Sequence, residues 1–263
     1  MDMSPIVTLT TDFCTADHFV ASMKGVILGI APSARIVDIS HEVKPFQVSD
    51  GAFLIAEASR YFPKRTIHVV VVDPGVGTSR RPILVESDGQ LFVGPDNGVL
   101  APIYTRNKAR VRCITNSKFF LPKPSQTFHG RDIFAPVAAH LAKGARPAQF
   151  GRLIDDYLRP VLDRPNRIGH RAWAGTVLRV DRFGNLITNF HISEFQAVES
   201  RPFILLPGVH RTEKLVKNYA EAPPGELAAI VGSSGYLEVV MNQRSAAEAT
   251  KCGTGTPVEL WIY

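Results

Sequence analysis

The chain has 263 residues, of which 45% are hydrophobic and 21% charged, so it can hold one large domain or two modest ones with a sizeable core. Its 30 Lys and Arg exceed its 24 Asp and Glu, which gives a net charge of +6. No block of like charges and no basic stripe with interleaved aromatic residues occurs, so we expect no nucleic-acid partner.

The cysteines and the amino-terminal stretch bear on the compartment. Cys14, Cys113 and Cys252 lie far apart with no CxxC pair, which argues against a zinc knuckle or a disulfide framework and favours a reducing compartment. The stretch MDMSPIVTLTTDF carries an acidic residue where a signal peptide needs a basic region, and no apolar run approaches the length of a bilayer. We expect a soluble cytoplasmic protein with no membrane partner.

The first elements form a strand, a loop and a helix. Residues 6–10 predict a strand, and apolar residues from 19 to 30 recur at helical spacing, with Thr15 or Asp17 available as the N-cap. Asp12 and Asp17 both lie on the loop between them. Their carboxylates could hold a ribose diol or an ammonium group, and local roles in an Asx turn and a cap are the alternative.

A second strand over 35–39 and a helix over 52–58, capped by Ser49-Asp50, lead to a third strand over 67–72. This β-branched run lacks alternation, so we expect both of its faces to be covered.

The third strand is followed by the polar residues that interest us most. They are Asp73, the tight turn Pro74-Gly75-Val76-Gly77, and Arg80, which could fold back toward Asp73. Open α/β sheets bind ligands beyond the carboxyl ends of their parallel strands. The sequence therefore predicts a site here, and a plain turn capped by Asp and Arg is the alternative.

The rest of the first half continues the alternation. We predict a hairpin over 82–86 and 91–93, a helix over 99–104, a strand over 111–114 and a helix over 133–143. The βαβ rhythm predicts a mostly parallel sheet. His129 lies at the mouth of the last helix, where the helix dipole favours a neutral imidazole that can accept a proton or hold a water; simple capping or packing is the alternative.

A shift to Arg, Pro, Asp and Gly over 144–169 marks a domain boundary, and we place the two domains at 1–165 and 166–263. The second domain is rich in short strands, which predicts a small β-barrel or sandwich. Two of its loops carry polar groups: Asp181-Arg182-Phe183-Gly184-Asn185, and Gly232-Ser233-Ser234-Gly235, which could cradle a carboxylate. The predicted strands are 172–180, 186–189, 203–206, 227–231, 236–240 and 257–262.

Seven motifs, in order along nearly the whole chain, resemble those of the S-adenosyl-L-methionine (SAM) hydroxide adenosyltransferases, also called SAM hydrolases, which are related to SAM-dependent fluorinating and chlorinating enzymes. This resemblance implies a three-layer α/β domain followed by a β-barrel domain. It also implies a homotrimer, with SAM between one subunit's first domain and a neighbour's second. The motifs are TTDF at 10–13, KGVIL at 24–28, IVDISHEV at 36–43, VVVDPGVGTSRR at 70–81, GPDNG at 94–98, TFHGRDIFAP at 127–136 and DRFGN at 181–185.

The same resemblance implies a water-positioning triad that falls on Asp73, Arg80 and His129. The halogenating branch has Tyr in place of Asp73, and its fluorinating members have Ser in place of Gly130 and a long insertion near the hairpin. The chain has only a tight turn at 87–90. These differences favour the branch that uses water.

The substrate-binding residues are also carried over from the resemblance. Asp12 is expected at the ribose hydroxyls, and Phe46 stands where halogenating relatives have Trp. Cys14 stands where the family often has Gly. The remaining expectations are Asp17 and Ser233 at the methionine end, Asp181 and Asn185 at its ammonium or the nucleoside, Phe183 on the adenine face, and Glu238 with the backbone around Met241 and Asn242 at the base.

The expected reaction is SAM and water giving adenosine and L-methionine by in-line attack on ribose C5′. No ligand set for a metal occurs in the sequence, and we expect no cofactor. A halide-using SAM enzyme and a SAM or adenosine sensor without turnover are alternatives, and a basic RNA-associated β-barrel fused to an α/β scaffold is a third.

Overall fold

The chain divides into two compact units, residues 1–160 and 161–263. A computed structural model describes residues 4–106, 108–160 and 164–263. Within this part of the chain, no helix is both long enough and apolar enough to cross a membrane.

The first unit is built on a six-stranded sheet in the order β2-β1-β3-β5-β4-β6. Strands β1, β2, β3 and β5 pair in parallel, whereas β4 pairs antiparallel with both β5 and β6, so the sheet is mixed. Its strands are β1 (Ile6–Thr11), β2 (Arg35–Ser40), β3 (Ile67–Val71), β4 (Pro82–Ser87), β5 (Gln90–Pro95) and β6 (Arg110–Cys113).

Helices cover both faces of this sheet, because the β-branched run of β3 supplies apolar side chains on each side. Val69 and Val71 belong to the cluster that contains α1 (Phe19–Ile30) and α4 (Ala135–Ala142). Val70 and Val72 belong to the cluster with α2 (Val48–Ala58) and α3 (Ala101–Arg106). All five residues of β3 are buried, which confirms the prediction for this strand and gives the three expected layers.

The turn that leads into α4 is wound as a π-helix over Gly130–Phe134. Pro136, in the first turn of α4, has no N–H to donate to the carbonyl of Asp132. That carbonyl instead accepts from the backbone N–H of Leu121 at 2.9 Å. The helix predicted over 133–143 therefore has an irregular first turn, and His129 is the residue that precedes it.

The predicted helix caps were wrong. The residue before α1 is His18, which makes no side-chain capping bond, so neither Thr15 nor Asp17 is the N-cap. Helix α2 begins at Val48, so Ser49-Asp50 lies inside its first turn. There the Asp50 carboxylate accepts from the backbone N–H of Lys44 at 3.4 Å.

The second unit contains an eight-stranded curled sheet, with seven strands in the order β10-β14-β8-β9-β13-β12-β11 and β7 paired with β8. The curl comes from β8, whose residues 172–176 pair with β14 and whose residues 177–180 pair with β9. This confirms the expected all-β second part. The elements are β7 (Asn166–Arg167), β8 (Ala172–Val180), β9 (Leu186–His191), β10 (Phe203–Pro207), β11 (Leu215–Val216), β12 (Ala228–Val231), β13 (Tyr236–Val240), α5 (Ala246–Thr250) and β14 (Pro257–Ile262).

Candidate functional site

Three side chains from two loops of the first unit, Asp73 and Arg80 on one and His129 on the other, meet beyond the end of β3. Arg80 donates from Nε to Asp73 Oδ1 at 3.0 Å and from Nη2 to Asp73 Oδ2 at 2.5 Å. The same Nη2 also lies 2.7 Å from Nδ1 of His129. The two-pronged contact with Asp73 fixes the plane of the guanidinium, and His129 lies against its edge.

The bond between Arg80 and His129 determines the tautomer of the imidazole. An arginine guanidinium only donates hydrogen bonds, so Nδ1 of His129 must accept and the ring proton must be on Nε2. Burial, and next the Arg80 guanidinium, lower the pKa of His129, which favours the same neutral form. The ring therefore presents an N–H donor at Nε2.

The charged pair is almost fully enclosed. The side chains of Arg80 and Asp73 are 8% and 4% exposed. The Arg80 guanidinium carbon lies 5.3 Å from the ring centre of Phe134. Nη1 of Arg80 is buried and has no hydrogen-bond partner among the described residues. A buried guanidinium donor without a partner costs free energy unless a ligand or water accepts from it.

Gly77 brings the two loops close to each other. It has a φ of +79°, and a Cβ built on it would lie 2.3 Å from the carbonyl oxygen of Gln126, three residues before His129. Only glycine gives both the left-handed conformation and this close approach. We therefore expect Gly77, the second glycine of the Pro-Gly-Val-Gly turn, to be needed for the convergence of Asp73, Arg80 and His129.

Two side chains, neither of them assigned from the sequence, hold the loop that carries His129. Asp132 accepts from the backbone N–H of Ser125 at 2.8 Å, and the Ser125 hydroxyl accepts from Phe128 N–H at 3.0 Å. The signal in the sequence is the short spacing of Asp132 after His129.

Among the other predicted residues in this unit, the Asp12 side chain is held by a hydrogen bond to the backbone. Its Oδ2 accepts from the backbone N–H of Phe46 at 3.0 Å. The pKa of Asp12 is raised, chiefly by burial and also by the nearby charge of Asp73. The bond from Phe46 N–H opposes this shift. Phe46 has a φ of +67° and a side chain that is 72% exposed. Asp17 is exposed on the same loop as Asp12.

His41 supports the loop of Asp12 and was not assigned this role from the sequence. Its carbonyl accepts from Cys14 N–H at 2.8 Å, and its Nδ1 lies 2.8 Å from the hydroxyl of Thr11. These bonds flank Asp12 on both sides.

In the second unit, three predicted residues share one loop. Asp181 Oδ1 accepts from the backbone N–H groups of Phe183 and Asn185 at 2.9 and 2.8 Å, and its Oδ2 accepts from Asn185 Nδ2 at 2.8 Å. The Phe183 ring is 79% exposed. The carboxylate thus orders the loop and presents an aromatic face to solvent.

Glu238 is a buried carboxyl group beside this loop. It is 6% exposed, and burial, and next the charge of Asp181, raise its pKa to about 7. A Cβ at Gly232 would lie 1.8 Å from Glu238 Oε1, so the glycine of the Gly-Ser-Ser-Gly loop leaves room for the carboxyl group. Ser233 on that loop is exposed.

The last two predicted residues contribute little through their side chains. Met241 is 6% exposed and packs in the apolar cluster of the second unit. Asn242 Nδ2 donates to the Ala222 carbonyl at 3.4 Å. Among the described residues, no three His, Cys, Asp or Glu side chains are grouped so as to hold a metal ion.

Comparison with known proteins identifies the family. The profile of the SAM hydroxide adenosyltransferase N-terminal domain matches residues 7–151, and that of the C-terminal domain matches residues 175–259. An (R)-S-adenosyl-L-methionine hydrolase of Salinispora arenicola is 40% identical over 94% of both chains. The enzyme of the same name from Methanocaldococcus jannaschii is 35% identical over 90% of this chain and 89% of its own.

More distant relatives and solved structures point the same way. A fluorinase of an Actinoplanes species is 28% identical over 91% of both chains. The crystal structure of an uncharacterized conserved protein from Thermotoga maritima superposes with a TM-score of 0.90 at 36% identity, covering 97% of this chain and 99% of that one. The chain therefore belongs to the SAM hydroxide adenosyltransferase family.

Proposed function

We propose that this protein is an enzyme that hydrolyses S-adenosyl-L-methionine to adenosine and L-methionine. The observation that carries the proposal is the joining of Asp73, Arg80 and His129 in one hydrogen-bonded group, in a chain that is 35–40% identical to relatives named (R)-S-adenosyl-L-methionine hydrolase.

The difficult part of the proposed reaction is that water is a poor nucleophile. When an oxygen attacks ribose C5′ in line with the sulfonium, the leaving thioether departs neutral and needs no general acid. Free water has a pKa of about 15.7, so it must be held, desolvated and aimed before it reacts well. Opposite charges cancel as sulfonium and a hydroxide-like oxygen react, and their attraction is stronger in a dry pocket.

The three side chains suit a water that becomes hydroxide-like before it attacks. Its proton is released to solvent, and its oxygen is uncharged in adenosine once the C5′–O bond has formed and the C5′–S bond has broken. The unpartnered Nη1 of Arg80 and the Nε2–H of His129 are donors, and a donor pair stabilises an oxyanion more than a neutral water. Asp73 holds the guanidinium in its plane, and the second lone pair of each of its oxygens can accept a bond from the water. We assign Arg80 and His129 to holding the water and Asp73 to orienting Arg80.

We assign the substrate contacts as the resemblance implies. Asp12 binds the ribose hydroxyls, with Phe46 beside it, and the Phe183 ring covers adenine. The other assignments are Asp17 and Ser233 for the methionine end, Asp181 and Asn185 for its ammonium or the nucleoside, and Glu238, Met241 and Asn242 for the base.

The packing around Gly130 favours water over halide. A Cβ at this position would lie 3.2 Å from Met23 Sδ and 3.3 Å from the rings of Phe128 and Phe13. The serine that fluorinating relatives carry here needs those side chains to move. The hairpin turn between β4 and β5 has only two residues, Asp88 and Gly89, so it lacks the long insertion that the resemblance associates with fluorinating members.

We also propose that the protein is a cytoplasmic homotrimer. All three cysteines are free, as expected in a reducing compartment. Light scattering after size-exclusion chromatography tests the trimer, which predicts a mass of three chains; the mass of one chain would refute it.

The direct test is to incubate the purified protein with SAM and separate the products by chromatography. We expect adenosine and methionine in equal amounts, and no product from Asp73→Ala protein prepared in the same way. Intact SAM would indicate a binding protein without turnover. A 5′-halogenated adenosine formed on addition of chloride or fluoride would instead support the halide-using alternative.

A further inference from the structure

The loop that joins β5 to α3 begins with Asp96 and Asn97 of the GPDNG motif at 94–98, and it has no role in the chemistry described above. Because β3 and β5 are parallel neighbours, this loop and the loop that starts at Asp73 leave the sheet at the same edge. Asn97 contacts Val72, immediately before Asp73, and Asp96 contacts Arg81, immediately after Arg80.

Asn97 anchors the entry to the Asp73–Arg80 loop. Its Nδ2 donates to the carbonyl of Val72 at 2.8 Å, and its Oδ1 accepts from Val99 N–H at 3.1 Å. Val72 is fully buried and lies one residue beyond the end of β3. Leaving a buried carbonyl without its donor is unfavourable, so the amide of Asn97 fixes the peptide that precedes Asp73.

Asp96 anchors the exit from the same loop. Its Oδ2 accepts from Arg81 Nε at 3.1 Å and from Arg81 Nη2 at 2.8 Å, and its backbone N–H donates to the Arg81 carbonyl at 2.8 Å. The Asp96 side chain is 5% exposed, whereas that of Arg81 is 30% exposed and also donates to Asp156 at 2.8 Å. Both the backbone and the side chain of Arg81 are thereby fixed next to Arg80.

Between these anchors the loop is bonded within itself. The Thr78 hydroxyl donates to the Gly75 carbonyl at 2.7 Å and accepts from Arg80 N–H at 3.3 Å. Val76 N–H donates to the Asp73 carbonyl at 3.2 Å, and Thr78 N–H donates to the Gly75 carbonyl at 3.2 Å. Such a turn keeps its shape locally but does not by itself set the distance between Asp73 and Arg80 on one side and His129 on the other. The anchors at Val72 and Arg81 supply that constraint.

We propose that Asp96 and Asn97 are positioning residues, which clamp the two ends of the Asp73–Arg80 loop and so hold Arg80 against Nδ1 of His129. The kinetic consequence rests on the proposed hydrolysis of SAM, whereas the structural consequence for His129 does not.

The first test compares Asn97→Asp with Asn97→Ala. Aspartate has the shape of asparagine and still accepts from Val99 N–H, but it cannot donate to the Val72 carbonyl. We expect both variants to lower kcat about tenfold to a hundredfold, as displacement of a catalytic group by up to an ångström does, with KM for SAM unchanged. If Asn97 only supports its own turn, Asn97→Asp keeps its activity, and the proposal is wrong.

Asn116→Ala is the matched control. Asn116 also donates from Nδ2 to a backbone carbonyl, that of Gln149 at 2.8 Å, and accepts from the N–H two residues ahead, that of Lys118 at 3.3 Å. Loss of the same two bonds at this more exposed site should lower thermal stability and leave kcat unchanged. An equal loss of kcat in Asn116→Ala would mean that general destabilisation explains the effect.

Asp96→Asn tests the other anchor. The carboxamide retains an oxygen that can accept from Leu158 N–H, which bonds to Asp96 Oδ1 at 2.9 Å, but it loses one of the two carboxylate charges that pair with Arg81, the other being that of Asp156. We expect kcat to fall with KM unchanged. Wild-type kcat in this variant would remove Asp96 from the proposal.

A second readout does not depend on the substrate. In nitrogen-15 correlation spectra of the histidine rings, with His129 assigned by its loss in His129→Gln, the wild type should show the Nε2–H tautomer. The Asn97 variants and Asp96→Asn should show a mixture of tautomers, and Asn116→Ala should match the wild type. Unchanged His129 signals in all clamp variants would overturn the proposal, whereas a wild type that forms no adenosine would overturn only the proposed function.

Discussion

Replacing Gly77 by alanine tests whether the close approach of two loops assembles the triad. The added Cβ would lie 2.3 Å from the Gln126 carbonyl oxygen, whereas ordinary contacts begin at 3.4 Å. The two loops must therefore separate by about 1 Å, and a misplacement of that size costs about a hundredfold in rate. We expect kcat to fall by this factor, equivalent to about 2.7 kcal/mol, with a much smaller change in KM.

Gly225→Ala is the control for backbone strain. Gly225 has the same φ of +79°, but nothing lies within 4 Å of a Cβ built on it. Both substitutions therefore carry the cost of a left-handed alanine, about 1 kcal/mol, and only Gly77→Ala adds the collision. The assay is steady-state adenosine formation, together with thermal unfolding of each variant. Equal turnover in the two variants would refute the reasoning that Gly77 brings the loops together.

Three further predictions follow from the first unit. Asp73→Ala should lower turnover by orders of magnitude and leave SAM affinity, measured by calorimetry, largely intact; unchanged turnover would contradict the triad. Gly130→Ser should destabilise the fold by about 1–3 kcal/mol through overpacking and create no halogenated product, and an unchanged unfolding midpoint would contradict the packing. Burial lowers the pKa of His68 to about 4, so the unfolded chain takes up its proton first and stability should fall as the pH drops from 6.5 toward 4. The loss should reach about 2 kcal/mol by pH 5 in urea titrations, and a His68→Leu variant with the same pH dependence would show that other groups cause it.

The sequence alone was sufficient for elements with a continuous β-branched run or a long helical period. The β-branched run of β3 predicted a strand buried on both faces, and the apolar spacing of α1 placed that helix at residues 19–30. The two-residue strands β7 and β11 and the short helix α5 were missed, because so few residues show no period. The cap of α1 was misassigned because the helix begins at Phe19, so the residue that precedes it is His18 and not Asp17.

The site was predictable in part. The position of Asp73 and Arg80 after a buried strand indicated a site. His129 lies 49 residues beyond Arg80, and only the resemblance linked it to the other two. The tautomer of His129 and the contact between Gly77 and Gln126 depend on three-dimensional distances that spacing does not encode. The contact of Asn97 with the Val72 carbonyl could not be predicted for the same reason, although the GPDNG motif at 94–98 is one of the seven that carry the resemblance.

The central claim is that the triad directs a water oxygen onto ribose C5′ of SAM. The most direct measurement is the hydrolysis of SAM in oxygen-18 water, followed by mass spectrometry of the products. We predict that the label appears in the 5′-hydroxyl of adenosine and not in methionine. Label in methionine, or adenosine without label, would contradict the claim.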